Sequence, residues 1–364
     1  MATSLTPTEI LALREPFAHL RDRVYLDTAA AGLTWQGQGA AVAHFYDHIK
    51  SRGYDARPEW WAMTQRVRTR LAALLGVTPA DICFVSNTTE GLNLAAHSLQ
   101  IQRGDRLVMA ADEFPSVANI WIGAQRAGAE IVRVPVPREH EREAALLAAL
   151  DEPTRLLIVS QVHSSTGTTL DLARLGRRCR ERGALLMVDG MQALGAVPIE
   201  LSPVDIYASS FFKWMLSGFG VGVLVTSPQA RATMEPAYRG YANLEEEHQL
   251  QYAHVNIPAM YGLDATLDFF EGIGWGMVHQ RVRELGQHLA LGAVRRGLDL
   301  VTPPSMHAGI FVVRRRDGEA TRQALSARNI SVSARGAGVR ISPHYYNTAE
   351  EIDQCLDALV ELAH

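Results

Sequence analysis

The chain has 364 residues, 47% of them hydrophobic, and a formal net charge of −4. This composition suits a soluble protein with one large and one smaller domain. The mild negative charge argues against nucleic acid or an anionic membrane as the main partner.

The start, "MATSLTPTEILALREPF", reads as a polar lead-in followed by a short amphipathic helix. It lacks the basic flank and apolar core of a signal peptide. No apolar run approaches membrane-spanning length. From about residue 78 short apolar strands alternate with helical stretches. "ADICFVS" is a strand and "TTEGLNLAAHSL" a helix; "DRLVMA" is a strand, "PSVANIWIGAQRAG" a helix and "EIVRVPV" a strand. A helix near 139–150, the strand "RLLIVSQV", the helix "LDLARLGRRCRERG" and the strand "ALLMVDG" follow. This rhythm predicts a mostly parallel sheet covered on both faces. "IYASSF" and "VGVLVTS" are joined too closely for a helical crossover. They predict an antiparallel pair, and hence a mixed sheet.

After about residue 258 the pattern changes. Long helical material, interrupted near "GIGWG", leads to the strand "AGIFVVRR", the helix "GEATRQALSARN", the strands "ISVSAR" and "GVRISPH", and a helix from Thr348. The reading is α/β, with a large domain over 20–257. A small α+β domain takes in 1–19 and 258–364, and the N-terminal helix packs on it. Three widely spaced cysteines, Cys83, Cys179 and Cys355, make neither a disulfide framework nor a metal pattern. A reducing cytoplasm is the expected compartment.

In open α/β sheets ligands bind beyond the carboxyl ends of the strands. Those ends carry Thr88 and Thr89 at a helix start, Phe114, His163 with Ser164, Asp189 with Gln192, and Ser210 with Lys213. Each has a plain reading when taken alone. Thr88 or Thr89 caps a helix, Phe114 packs in the core, His163 is a hydrogen-bonded structural residue, and Asp189 is a cap or an ion-pair partner. Lys213 is harder to explain in this way. Of 35 basic residues only Lys50 and Lys213 are lysines, and Lys213 sits in "SSFFKWMLSGFGVGVLV". Charged lysine is costly in apolar surroundings, but only lysine can become a neutral amine and form a Schiff base. Together these groups describe one ligand. It has a phosphate for Thr88, Thr89 and Ser210, a flat ring for Phe114, a ring nitrogen for Asp189 and an aldehyde for Lys213. Pyridoxal phosphate has all four.

"YLDTAAAGLT", "NTTEGLN", "EFPS", "SSTGTTLDL", "VDGMQALG", "SSFFKWMLSGFGVGVL" and "VRISPHYYNTAEEID" occur in the order of the class V aminotransferases. That group contains cysteine desulfurase-like, kynureninase and isopenicillin N epimerase-like enzymes. The chain resembles it from about Tyr25 onward. The resemblance implies a pyridoxal-phosphate enzyme of fold type I. Its large domain would carry a mixed, mostly parallel seven-stranded sheet, and a homodimer would have its active sites at the interface. It implies an α-amino acid substrate worked on through an external aldimine and a quinonoid. Lys213 resembles the Schiff-base lysine and general base, Asp189 the pyridinium partner, and Gln192 the residue at the phenolic oxygen. Thr88, Thr89 and Ser210 resemble phosphate ligands, and Phe114 the stacking aromatic. Ser164 stands where the desulfurase branch has asparagine. Asn256 resembles the residue that reaches the partner subunit's cofactor phosphate. Arg340 resembles the holder of the substrate carboxylate, with Arg335 and Ala30 beside it. His163 is placed with the catalytic residues.

The departures bear on the reaction. Between Arg335 and Arg340 desulfurases carry a nucleophilic cysteine, and this chain has "GAGV". Phe212 stands where relatives have histidine or tyrosine. The expected chemistry is therefore a lyase (β-elimination with C–S cleavage) or an aminotransferase. An epimerase or racemase is the alternative, and a non-catalytic cofactor-binding protein is the rival from another class. A dinucleotide enzyme fails, because "GFGVGV" precedes a strand instead of joining a strand to a helix.

Overall fold

The computed structural model describes residues 7–243 and 250–362, so the polar lead-in over 1–6 lies outside the described residues. Seven strands form the main sheet. They are β1 (Ile82–Val85), β2 (Arg106–Ala110), β3 (Glu130–Val134), β4 (Leu156–Ser160), β5 (Leu185–Asp189), β6 (Ile206–Ser210) and β7 (Gly222–Thr226). Their spatial order is β1-β7-β6-β5-β4-β2-β3. β7 alone runs against the others, pairing antiparallel with β6 and with β1. The expected mixed sheet and the β6–β7 hairpin are both present.

The sheet is built by strict alternation with both faces apolar. Leu157, Val159, Leu186, Val188 and Val223 enter one core. Leu156, Ile158, Leu185, Met187 and Leu224 enter the other. Successive strand residues point to opposite faces, so two covered faces require a continuous apolar run. The covering helices follow from their own spacing. In Leu172–Arg182 the buried residues are Leu172, Leu175, Gly176 and Cys179, one helical stripe. Asp171 caps its start by accepting from Arg174 N, and Gly183 ends it at φ +69°.

Two expected elements are divided. "PSVANIWIGAQRAG" forms two short helices, Pro115–Ala118 and Ile122–Arg126. "ISVSAR" splits into Ile330–Ser331, parallel to Val24–Tyr25, and β9 (Ser333–Arg335). With β8 (Phe311–Arg314) and β10 (Gly338–Ile341), β9 makes a three-stranded antiparallel sheet in the order β9-β10-β8. The long helical stretch breaks at Gly274, φ +92°, into Ile257–Ile273 and Trp275–Arg295. The first of these places Ala259, Met260, Leu263 and Leu267 in the core of the main sheet. The N-terminal helix Pro7–Arg14 is clamped to the last helix by Arg14, whose two terminal nitrogens meet Glu351 at 3.0 and 2.7 Å. No helix among the described residues is long and apolar enough to cross a membrane.

Candidate active site

A cavity of about 280 Å³ lies beyond the carboxyl ends of β1, β2, β4, β5 and β6. It is lined by Thr88, Thr89, Phe114, Ser164, Asp189, Gln192, Ser210 and Lys213, eight of the expected site residues. They come from five separate segments, and the parallel order of the strands is what collects them.

At one end the helix Thr88–Ser98 begins. Asn87 caps it, its Oδ1 accepting from Glu90 N. Thr88 donates from its backbone N to Ser210 Oγ at 2.7 Å, and the two hydroxyls lie 2.8 Å apart. The hydroxyls of Thr89 and Ser116 lie 2.8 Å apart. A helix N-terminus dressed with hydroxyls suits an anion. Phe114, 44% exposed, offers a ring to the cavity.

Asp189, the last residue of β5, is buried and takes the N–H of Met191 at 2.8 Å. Burial pushes its carboxyl up to about 6, with the Glu113 carboxyl adding to the rise. Lys213 stands three residues past β6. Burial, with Arg340 nearby, holds its amine down to about 8. That amine is neutral far more often than an ordinary lysine. Its backbone is fixed by Gly32, whose N–H donates to Phe212 O at 2.9 Å. A Cβ on Gly32 would lie 2.0 Å from Lys213 O, so only glycine permits this approach. Gln192 donates to Ala29 O at 3.0 Å and accepts from Trp214 Nε1 at 2.9 Å, which orients its amide. Ala30 does not line the cavity; it belongs to the same turn, its N–H donating to Asp27 O.

Arg340 lies on β10, 2% exposed. Its Nη1 donates to Ser164 O at 2.9 Å, and its Nη2 is 3.6 Å from Asp27 Oδ1. Its Nε and Nη2 have no hydrogen-bond partner among the described residues. Burial draws its guanidinium down to about 10. Arg335, at the end of β9, is exposed.

Arg340 and Arg335, like Ala30, stand outside the cavity lining, and two further expected residues lie elsewhere. His163 is buried outside the cavity lining, its Nδ1 2.9 Å from Thr166 Oγ1 and its Nε2 3.0 Å from Asp112 O. Thr166 in turn donates to Glu139, which Arg142 also holds. Both ring nitrogens are committed to this buried network, which leads into the loop that carries Ser164. Asn256 caps the helix Ile257–Ile273 and donates to Gly220 O at 3.2 Å, outside this cavity.

The structure also adds residues. Met191, Ser116 and Ser160 line the cavity. Asp27 faces Arg340, and its carboxylate takes the Ser333 hydroxyl at 2.7 and 2.8 Å. Asp27 sits within "YLDTAAAGLT", but its partners are some 300 residues away, at 306 positions for Ser333.

The sequence matches the family model "Aminotransferase class-V" over residues 24–355. The chain belongs to the class-V aminotransferase family. It is 30% identical to isopenicillin N epimerase of Streptomyces clavuligerus, over 92% of this chain and 94% of that protein. It is 28% identical to a probable hercynylcysteine sulfoxide lyase of Mycobacterium tuberculosis, over 96% of this chain and 91% of the other. Among solved structures it resembles the cystine C–S lyase C-DES in complex with its product cysteine persulfide. The TM-score is 0.87 at 25% identity, covering 95% of this chain and 99% of that one.

This class-V chain is therefore a pyridoxal-phosphate-dependent enzyme of fold type I. The donor set fits that group. Hydroxyls gather at a helix start, a buried carboxyl stands at a strand end, and a lysine with a lowered pKa completes the cavity.

Proposed function

We propose that this enzyme is a lyase that cleaves a C–S bond by β-elimination from an α-amino acid, without a protein thiol as acceptor. The observation that carries the reading is the state of its thiols. Cys83, Cys179 and Cys355 are all buried, each pushed up to about 12 by burial, and each lies in a hydrophobic core. The β9–β10 turn that faces Ser165 is built from Gly336, Ala337 and Gly338. A persulfide needs an accessible thiolate, and this chain offers none.

In this reading Lys213 forms the Schiff base, and pyridoxal phosphate supplies an electron sink for a carbanion at Cα. Thr88, Thr89 and Ser210 would hold the phosphate and Phe114 the ring. Asp189 would serve the ring nitrogen, while Gln192 and Ser164 would serve the phenolic edge. Arg340 takes the substrate carboxylate with its two unanswered nitrogens, and Arg335 and the turn at Ala30 flank it. A guanidinium that grips both oxygens fixes which Cα bond stands perpendicular to the ring. With its pKa lowered to about 8 by burial, the Lys213 amine would be the group suited to move the Cα proton.

We further propose a homodimer. Tyr46, Tyr54, Trp61, Phe219 and Tyr241 are exposed by 40–71%; Tyr54, Trp61 and Tyr241 line one apolar cavity, and exposed aromatics are enriched at interfaces. Asn256 would act across it on the partner's cofactor. A cytoplasmic setting accords with three free cysteines. Epimerisation is the second reading, supported by the isopenicillin N epimerase relatives. A panel of amino acids and S-substituted cysteines, scored for keto acid, ammonia, sulfide and racemisation, separates the two. Keto acid and ammonia from a sulfur-bearing substrate support the lyase. Racemisation without them overturns it.

A further inference from the structure

Glu113 follows β2 on the turn that also carries Phe114, and it is buried. Its carboxylate takes both donors of Ser160, the N–H at 3.0 Å on Oε1 and the hydroxyl at 2.6 Å on Oε2. Ser160 ends β4 and pairs in register with Asp189 at the end of β5. Paired residues of neighbouring strands face the same side of a sheet, and both of these line the cavity. A second carboxyl is thus fastened to the residue beside Asp189. The titratable groups around Asp189 are Glu113, Lys213 and Tyr207. Lys213 favours the charged form of Asp189, Glu113 opposes it, and the Tyr207 phenol is itself held protonated by burial.

Two neighbouring carboxylates resist both being charged, and a cation placed against them relieves the repulsion. A protonated ring nitrogen is such a cation. We propose that Glu113 is a positioning residue that keeps the ring nitrogen of bound pyridoxal phosphate protonated, acting through Asp189. The inference rests on the reading of Asp189 as the ring-nitrogen partner. Glu113 touches neither cofactor nor substrate; its charge deepens the electron sink that Asp189 maintains.

The test uses apoenzyme loaded with pyridoxal phosphate labelled with ¹⁵N in the ring, and follows the ring-nitrogen chemical shift with pH. Glu113→Gln keeps the shape and still accepts from the Ser160 N–H. It lowers the midpoint of ring protonation by about one pH unit, roughly a tenfold change in the protonation equilibrium. It also weakens cofactor binding. Glu113→Asp keeps the charge and restores most of the shift. Should the glutamine chain not fold, Glu113→Ala gives the same direction. A Glu113→Gln midpoint equal to wild type, with Asp189→Asn losing the ring proton, overturns the role of Glu113 alone. An Asp189→Asn enzyme that keeps a protonated ring overturns the reading of Asp189 beneath it.

Discussion

Arg340 Nη2 stands 3.6 Å from Asp27 Oδ1, close enough for attraction and too far for a hydrogen bond. The guanidinium is buried, donates to Ser164 O and is drawn to Asp27, while Nε and Nη2 make no hydrogen bond among the described residues. Buried donors without hydrogen bonds are costly, and in the proposed function a substrate carboxylate would answer both. Asp27 and Ser333 hold the arginine in waiting without satisfying it.

Arg340→Ala removes charge-assisted hydrogen bonds worth about 1.5–3 kcal/mol each. The expected result is a rise in KM of at least roughly tenfold for amino acids with a free carboxylate. The same substrates as methyl esters lose the discrimination. Steady-state kinetics on each acid and its ester check this, and an unchanged ratio removes Arg340 from the carboxylate.

The Lys213 amine sits at about 8, below the ordinary lysine value, because burial and Arg340 disfavour its charged form. The free amine attacks an aldehyde and the ammonium does not. The rate of pyridoxal phosphate capture by apoenzyme therefore rises with pH to a plateau with a midpoint near 8. A midpoint near the unperturbed lysine value of about 10.4 contradicts the placement. Stability follows the same linkage. Between the folded and unfolded pKa values the unfolded chain binds the extra proton, so apoenzyme stability rises with pH across that window.

Cys83, Cys179 and Cys355 pack in the cores and do not meet the cavity. Each Cys→Ala variant is expected to keep kcat within about twofold and to lose about 1 kcal/mol of stability through lost packing. Turnover in the three variants, with thermal melting beside it, checks this. Loss of sulfide or ammonia release in any one that stays folded contradicts a thiol-free mechanism.

His163→Gln is expected to lower the melting temperature while kcat falls only a few fold. The ring braces Thr166 and Asp112 and does not line the cavity. Removing one member of a buried network costs about 1–3 kcal/mol. A loss of kcat by a factor of about 10² or more with unchanged melting would return His163 to the chemistry.

Much of this site was legible along the chain, for physical reasons. Lys213 stood out because the chain has only two lysines, and Asp189, Ser210 and Thr88 because each ends an apolar strand or opens a helix. The strands were legible because two covered faces demand unbroken apolar runs. The setting of His163 was not legible, because the strand end it shares with Ser164 says nothing about which way its ring turns; that depends on Thr166, Glu139 and Arg142. Glu113 and Asp27 were not singled out because their partners are set by register and by contacts between segments far apart in the chain. Asp27 meets Ser333 and Arg340, and Ser160 meets Asp189, only once the sheets assemble. The split of "ISVSAR" has the same origin, since Ile330–Ser331 pairs with the distant Val24–Tyr25.

Borohydride reduction of the cofactor-loaded enzyme, followed by peptide mass mapping, shows which lysine holds the cofactor. The chain has two lysines, and Lys50 is exposed and paired with Asp47 at 3.1 Å. The expected outcome is a yellow protein that bleaches on reduction, with a pyridoxyl group on the peptide carrying Lys213 and none on that carrying Lys50. A reduced adduct on Lys50, or a protein that reduction leaves unlabelled, would contradict it.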